Sequence, residues 1–160
     1  MAPLPAFNRA YGGSRTWEMN AWLDQTVLAY KPAIIVYYCG SNDIEAGTDA
    51  TAEEVFARVK EFEVRVHDAL PKTRIFFFGI NRAIDQRNRW DVVDRANELV
   101  KQYAYRTPNF DYVESNTALF DARDEPIAAH FKPDGRHFNP SAYAEFTKIL
   151  KPVQIGRAHV

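Results

Sequence analysis

The feature of this sequence that most constrains its fold is the alternation of short apolar runs with amphipathic segments. The run AIIVYYC at 33–39 is continuous, β-branched and aromatic, and TRIFFFGI at 73–80 has the same character. FDYVES at 110–115 is a weaker third run, and LPAFN at 4–8 is a candidate for the end of another strand. Runs of this length without polar alternation are typical of strands that are covered on both faces.

Helical patterns separate these runs. The clearest begins at Thr51, where Glu54 three residues later completes a capping box, and another begins near Trp90. A shorter helix is predicted to follow Asn139 as its N-cap, and a first helix is predicted over residues 15–30. Strand–helix alternation of this kind predicts a parallel sheet with helices on both faces, in which sites form at the carboxyl ends of the strands.

Length and charge narrow the class of protein. The chain has 160 residues, the size of one domain, and we predict a single domain over residues 1–154. A formal net charge of −1 gives no reason to expect nucleic acid or an anionic membrane as a partner. The sequence contains no apolar run long enough to span a bilayer. Its one cysteine, Cys39, excludes an internal disulfide and a cysteine-cluster metal site.

Three short stretches contain residues suited to chemistry: NRAYGGS at 8–14, GSND at 40–43 and DGRH at 134–137. In DGRH, a carboxylate lies three residues before an imidazole, in a predicted turn that leads into a helix. Asp134 can therefore fold back onto the ring of His137, fix its tautomer and leave the other ring nitrogen as a general base. A chance pairing of the two residues is the alternative interpretation.

The other two stretches offer hydrogen-bond donors. Asn42 follows a predicted strand, where its amide is either a turn residue bonded to its own backbone or a fixed donor for a developing oxyanion. Gly13 precedes a predicted helix, where it is either a turn glycine or a source of a second donor through its backbone N–H.

The three motifs in this order resemble those of a known family: Asn8-x-x-x-x-Gly13, then Gly40-x-Asn42-Asp43, then Asp134-x-x-His137. In order and approximate spacing they resemble the SGNH (GDSL-type) hydrolases, over nearly all of residues 4–152. The resemblance implies an α/β, three-layer, flavodoxin-like fold with a parallel sheet and helices on both faces. It also implies a serine esterase that acts on small-molecule or carbohydrate-linked esters without a metal or organic cofactor.

The resemblance also implies a role for each matched residue. Gly13 and Asn42 correspond to the oxyanion-hole donors, His137 to the base and Asp134 to the residue that orients the base. Asp43 is expected to brace the turn that carries Asn42, and it is also a candidate for contact with the substrate.

The nucleophile is where this sequence departs from the family. There it lies in a Gly-Asp-Ser-like motif after the first strand, whereas only MAPLPAF precedes the NRAYGGS block in this chain. The serines present, Ser14, Ser41, Ser115 and Ser141, do not lie in such a motif. Ser14 is expected to cap the first helix and Cys39 to be a packing residue. We therefore expect an N-terminally truncated chain without the first strand and the nucleophile.

The C-terminal residues suggest a second irregularity. IGRAHV at 155–160 follows the point where the last helix of the family ends, and it has no helical apolar pattern. One frame of a widely used sequencing adaptor encodes these six residues. We hypothesise that 155–160 is a non-native tail.

Two further side chains are candidates for substrate binding. Arg82 follows a strand end, at the rim where a substrate would enter, and its alternative is a solvated loop position. His130 lies seven residues before His137 and is a candidate for the wall of the pocket.

Two functions other than ester hydrolysis remain open at this point. A non-catalytic protein could bind a ligand in the same cleft, which a missing serine favours if Met1 is the true start. A flavodoxin-like binder of nucleotide or phosphate could use the AYGGS loop before a helix. The sequence lacks the Walker lysine and the dinucleotide glycine spacing, so we rank this function below the esterase.

Overall fold

The computed structural model describes residues 6–45 and 47–156 and contains a sheet of three parallel strands. The strands are β1 (Ile34–Tyr37), β2 (Arg74–Phe78) and β3 (Phe110–Val113), in the order β1-β2-β3. Each lies inside the run that predicted it and is shorter than that run. The candidate strand at 4–8 is not seen, because residues 6–8 are irregular and residues 4 and 5 lie outside the described range.

The helices and strands occur along the chain in the predicted order. The helices are α1 (Thr16–Ala21), α2 (Leu23–Thr26), α3 (Ala52–Ala69), α4 (Trp90–Ala104) and α5 (Pro140–Gly156), with short 3-10 segments at Leu28–Tyr30, Ile84–Arg89, Asn116–Ala118 and Ala128–His130. The backbone of residues 155 and 156 continues α5, and residues 157–160 of the hypothesised tail lie outside the described range.

The single helix predicted over residues 15–30 is wrong in its continuity. The structure has α1, then α2, then a 3-10 turn, because the backbone leaves helical geometry at Trp22 and again at Val27. Arg65 of α3 donates to the Asn20 carbonyl at 2.6 Å, which satisfies an acceptor near the end of α1 from outside that helix.

The start of α3 matches its prediction. The Thr51 hydroxyl accepts the N–H of Glu54 at 3.2 Å, and the Glu54 carboxylate accepts the N–H of Thr51 at 2.8 Å. This reciprocal pair satisfies two of the N–H groups that a helix leaves unpaired at its start. The face of α3 that carries Val55, Val59 and Phe62 is fully buried against the sheet.

Helices cover both faces of the sheet, so the predicted three layers are present. On one face, Tyr37 and Phe77 belong to a core that includes α3 and α4, and the Tyr37 ring stacks on Phe62 at a centroid distance of 3.9 Å. On the other face, Phe76 and Phe78 pack with α5. The sequence predicted both layers through the apolar stripe of each helix.

The first strand is less covered than its apolar sequence predicted. Val36 is 42% exposed and Tyr38 is 41% exposed, although AIIVYYC reads as a strand buried on both faces. The reason is position: among the described residues β1 pairs only with β2, and α5 covers the β2–β3 side of this face. The expectation that this chain lacks the first strand of the fold stays a prediction.

One glycine at the end of β1 allows the sheet and the following loop to meet. Gly40 has a φ of 125°, and a Cβ atom there would lie 2.6 Å from Cδ1 of the buried Ile80. The loop that carries Asn42 therefore starts in a backbone conformation that L side chains rarely adopt, in a space that no methyl group fits.

We expect Gly40→Ala to lower the free energy of unfolding by at least about 2 kcal/mol, from backbone strain and overpacking together. Gly47→Ala is the matched control, because Gly47 also has a positive φ, 87°, but nothing lies within 4 Å of its added Cβ. Urea unfolding should show the larger loss for Gly40→Ala. Equal losses in the two variants would contradict the steric argument.

Candidate active site

The three motifs meet at one cavity at the carboxyl ends of the strands. The cavity has a volume of about 510 Å³, and Gly13, Asn42 and His137 all lie in its wall. Each lies in a different loop: Gly13 just before α1, Asn42 shortly after β1, and His137 just before α5. Residues separated by up to 124 positions therefore face a common space.

The Asp134–His137 pair forms within one turn. Oδ2 of Asp134 lies 2.8 Å from Nδ1 of His137, while Oδ1 accepts the backbone N–H groups of His137 and Arg136, each at 2.9 Å. These hydrogen bonds, first from the His137 N–H, then from the Arg136 N–H and the imidazole, hold the pKa of Asp134 well below its usual range. The imidazole is thus tied at Nδ1, and no described residue is hydrogen-bonded to its Nε2.

Asp43 anchors the loop after β1 to α1 and α3 inside the protein. Its side chain is fully buried, and its carboxylate accepts hydrogen bonds from the Thr16 N–H at 2.9 Å, the Thr16 hydroxyl at 2.6 Å and the Arg58 guanidinium at 3.1 Å. The predicted brace is therefore present. The suggestion that Asp43 contacts substrate is wrong, because both oxygens are turned toward α1 and α3 and away from the cavity.

This contact also corrects the predicted cap of α1. The N-cap is Arg15 and not Ser14, and the first helical N–H, that of Thr16, is accepted by the Asp43 carboxylate. A negative charge at a helix N-terminus is favourable, so Asp43 supplies the cap that Ser14 was expected to supply.

The Asn42 side chain is hydrogen-bonded to Ser14, the residue that follows Gly13 in the chain. Nδ2 of Asn42 donates to the Ser14 carbonyl at 3.0 Å, which uses one of the two amide hydrogens and fixes the direction of the group. Gly13 has a φ of 81°, and in the described part of the chain its backbone N–H has no acceptor. Two N–H donors of residues that line the cavity are thus left without an acceptor among the described residues.

Cys39 is unsuited to the role of nucleophile. Its thiol is buried, lies 3.8 Å from the Ser14 carbonyl oxygen, and has its pKa raised to about 12 by burial and by the charge of Asp43. The reactive form of cysteine is the thiolate, so this environment suppresses it. The packing role expected for Cys39 agrees with its place in the core.

No serine hydroxyl in the described residues is hydrogen-bonded to His137. Ser115 is buried and bonds to the Gly79 carbonyl and to Asn81, and Ser141 donates to the Ala129 carbonyl. Ser14 and Ser41 lie in the cavity wall, but neither hydroxyl contacts the imidazole.

Arg82 and His130, the two other candidates for substrate contact, are not among the described residues that line this cavity. The Arg82 guanidinium forms two hydrogen bonds of 2.7 Å with Asp94 and two, of 2.8 and 2.9 Å, with Asp124. It faces a separate cavity of about 460 Å³. His130 lies 3.0 Å from the Ser141 hydroxyl at the start of α5. Both side chains are held by partners that local sequence did not reveal.

Gln86 and Arg136 are among the polar residues of the cavity wall that sequence reasoning missed. Gln86 is only 7% exposed, and its side-chain amide has no hydrogen-bond partner among the described residues. Gln86 lies four residues after Arg82, and no motif in the sequence marks it. Arg136 lies inside the DGRH motif, between the aspartate and the histidine, and its own partners Asp85 and Glu45 are distant in the sequence.

The comparison with protein families identifies the chain. The sequence model of the GDSL-like Lipase/Acylhydrolase family matches residues 2–145. The chain belongs to the GDSL-like lipase/acylhydrolase family. This agrees with the resemblance found in the three motifs, whereas a comparison with curated proteins gives no match.

Solved structures share the fold of this GDSL-like chain. A carbohydrate esterase family 3 protein from Talaromyces cellulolyticus has a TM-score of 0.76 at 14% identity, over 91% of this chain and 69% of that one. A catalytic mutant of an acetylxylan esterase from Geobacillus stearothermophilus has a TM-score of 0.73 at 18% identity, over 90% and 68%. A GDSL-like lipase from Bacteroides thetaiotaomicron has a TM-score of 0.71 at 16% identity, over 91% and 73%.

The fold of the chain is therefore the α/β fold of GDSL-type hydrolases, as the sequence predicted. In the part of the chain that the structure describes, no helix is long and apolar enough to cross a membrane.

We expect Asp43→Asn to lower the free energy of unfolding of this GDSL-like domain by about 2–3 kcal/mol, because Arg58 loses a buried partner and Thr16 loses a charged acceptor. Asp24→Asn is the control, because the Asp24–Arg65 pair is 3.6 Å long and largely exposed. That change should stay within about 0.5 kcal/mol. Similar losses in both variants, measured by urea unfolding, would show that Asp43 is not a special anchor.

The lowered pKa of Asp134 gives a pH dependence of definite sign. Because the folded-state pKa lies below that of the unfolded chain, the ionised carboxylate stabilises the fold above the ordinary pKa of about 4, and this contribution is lost as the pH falls below it. The stability difference between wild type and Asp134→Asn should therefore be largest near neutral pH and shrink in acid. Urea unfolding at a series of pH values measures it, and Asp68→Asn, on the exposed side of α3, is the control. A difference that does not change with pH would contradict the prediction.

Proposed function

We propose that this domain performs the hydrolysis of carboxylic esters by acyl transfer to a serine, and that the chain as given lacks that serine. The observation that carries the proposal is the His137–Asp134 hydrogen bond of 2.8 Å, at the wall of the same cavity as Asn42 and Gly13. Membership of the GDSL-like acylhydrolase family supports the reaction class.

His137 is the proposed general base. With Nδ1–H donated to Asp134, its Nε2 is the nitrogen that takes the proton of a serine hydroxyl and later returns it to the leaving alcohol. Asp134 stays ionised throughout, since its pKa is lowered, and it stabilises the imidazolium that forms. Aspartate and serine substitutions in the acetylxylan esterase neighbour are both described as catalytic mutants, which supports this pairing.

Asn42 and Gly13 are the proposed oxyanion donors. As the ester carbonyl becomes tetrahedral, negative charge grows on its oxygen, and donors already fixed in place stabilise it without reorganisation. The second Nδ2–H of Asn42 and the N–H of Gly13 are such donors, the first held by the Ser14 carbonyl and the second by the backbone of the turn before α1.

The proposed substrate is an ester of a hydroxylated alcohol, such as an acetylated carbohydrate. The side-chain amide of Gln86, a residue only 7% exposed in the cavity wall, has a donor and an acceptor without partners among the described residues, and a hydroxyl group complements both. Apolar side chains such as Phe138 and Phe146 form another part of the wall and suit the acyl group. The carbohydrate esterase and acetylxylan esterase neighbours support this substrate class.

A second candidate is a ligand-binding protein that uses the same cleft without catalysis. It is favoured by one observation: within the described residues no serine hydroxyl reaches His137. Binding would use the Asn42 and Gly13 donors in the way proposed for the oxyanion.

We expect the chain as given to hydrolyse 4-nitrophenyl acetate no faster than a heat-denatured control, since loss of the serine costs on the order of 10⁶ in turnover. A fusion that adds a first strand with its Gly-Asp-Ser-like turn from the acetylxylan esterase neighbour should restore hydrolysis. Replacing the grafted serine with alanine should abolish it. Robust turnover by the unmodified chain that disappears in Ser14→Ala or Ser41→Ala would instead show a resident nucleophile.

In the active fusion, Asn42→Ala should lower kcat by about 10²–10³, or about 2.7–4 kcal/mol, with a small change in KM. The interaction strengthens only as charge develops, so the ground-state complex should be little affected. Gln86→Leu is the comparison: it should raise KM for an acetylated xylo-oligosaccharide while leaving 4-nitrophenyl acetate unaffected. A pure rise in KM for Asn42→Ala would make Asn42 a substrate-positioning residue.

A further inference from the structure

Arg136 connects the turn of His137 to two other segments of the site. Its Nε and Nη2 atoms donate to Oδ2 of Asp85 at 2.9 and 2.7 Å, and Nη1 donates to Oε2 of Glu45 at 3.1 Å. Asp85 belongs to the 3-10 segment after β2, and Glu45 lies three residues after Asn42. One guanidinium thus binds two carboxylates from different loops.

The connection continues to the start of α1. The other oxygen of Glu45, Oε1, accepts a hydrogen bond of 3.4 Å from Arg15, the N-cap of that helix. A chain of alternating charges, Arg15, Glu45, Arg136 and Asp85, therefore runs through all the loops that contribute to the cavity wall. The hydrogen bond with Asp85 first, and then the charge of Glu45, raise the pKa of the Arg136 guanidinium.

The backbone supports the same contact. The Ile84 N–H donates to the Gly135 carbonyl at 2.7 Å, and a Cβ atom at Gly135 would lie 3.2 Å from the backbone nitrogen of Asp85. The turn that bears His137 therefore rests closely on the 3-10 segment, and the Arg136 fork lies across the same junction.

We infer that Arg136 is a positioning residue, which holds the His137 imidazole in register with the Asn42 amide. This inference rests on the proposed function, because the register matters only if the two side chains act on one substrate. The Asp134 hydrogen bonds orient His137 within its own turn, but they cannot place that turn relative to the Asn42 loop. The Arg136–Glu45 contact spans 91 residues and does so.

The position of the His137 imidazole relative to the Asn42 amide should affect the reaction rate. A misplacement of about 1 Å between a base and the groups that bind the reacting atom can cost on the order of 10² in rate. Surface ion pairs add little to global stability, and Arg136, Glu45 and Asp85 are each about one third exposed. Loss of the fork should therefore change the local geometry while the domain stays folded.

The test uses NMR spectroscopy of the chain as given. The side-chain amide of Asn42 should shift as the His137 ring titrates, because a new charge at one wall of the cavity alters the field at the other. We expect the amplitude of this shift to be at least about twofold smaller in Arg136→Gln, since the charge effect falls with distance. Arg95→Gln is the matched control, because Arg95 forms an exposed pair with Glu53 away from the cavity and should leave the shift unchanged.

A second measurement does not depend on catalysis. The exchange rate of the Ile84 N–H reports the junction between the His137 turn and the 3-10 segment, and it should rise in Arg136→Gln but not in Arg95→Gln. Faster Ile84 exchange with an unchanged Asn42 shift would overturn the inference, because Arg136 would then hold the junction without placing His137.

Further results distinguish a folding defect, a failure of the inference about Arg136 and a failure of the proposed function. If Arg136→Gln does not fold, Glu45→Ala removes the contact from the opposite side, and it should reduce the Asn42 shift in the same way. An undiminished shift in Glu45→Ala would overturn the inference. If wild type shows no Asn42 shift on titration of His137, the two side chains are not coupled and both the inference and the proposed function fail. A shift present in wild type and retained in Arg136→Gln overturns the positioning role alone.

Discussion

The buried carboxylate of Asp43 is the interaction on which the arrangement of the site depends. Removing a charge from water costs several kcal/mol unless partners compensate it, and here the Thr16 N–H, the Thr16 hydroxyl and the Arg58 guanidinium all do. Because Thr16 begins α1 and Arg58 lies on α3, this one group ties the loop after β1 to two helices. Asn42 and the Ser14 carbonyl meet as a direct consequence.

The histidine side of the cavity is attached by a different kind of interaction. Its turn is ordered locally by Asp134, and it contacts the rest of the site through the Gly135 carbonyl, which accepts the Ile84 N–H, and through the partly exposed Arg136. A buried network holds one wall, whereas solvent-screened ion pairs contribute to holding the other. The two walls should differ in their response to salt, since screening weakens exposed pairs much more than buried ones.

Much of the fold could be predicted from local pattern. Neighbouring residues specify the apolar runs that form β1, β2 and β3, the capping box of α3 and the apolar stripes of the long helices. The alternation of strands and helices then leaves few possible topologies. Two features could not be predicted in this way. The segment 15–30 is broken where Arg65 of α3 satisfies the Asn20 carbonyl, and Val36 is exposed because β1 lies at the edge of the described sheet.

The sequence by itself determined most of the secondary structure and the pairing of Asp134 with His137, because these depend on residues close together in the chain. Strand–helix alternation along the chain also indicated the parallel sheet. Only the tertiary structure decided the orientation of side chains whose surroundings come from distant parts of the sequence. Asp43 turns inward to Thr16 and Arg58, Arg82 is held by Asp94 and Asp124, and the Gln86 amide is left without a described partner at the cavity. A polar side chain takes the best partner within reach in three dimensions, and for these residues that partner, or its absence, is set by segments 12 or more positions away.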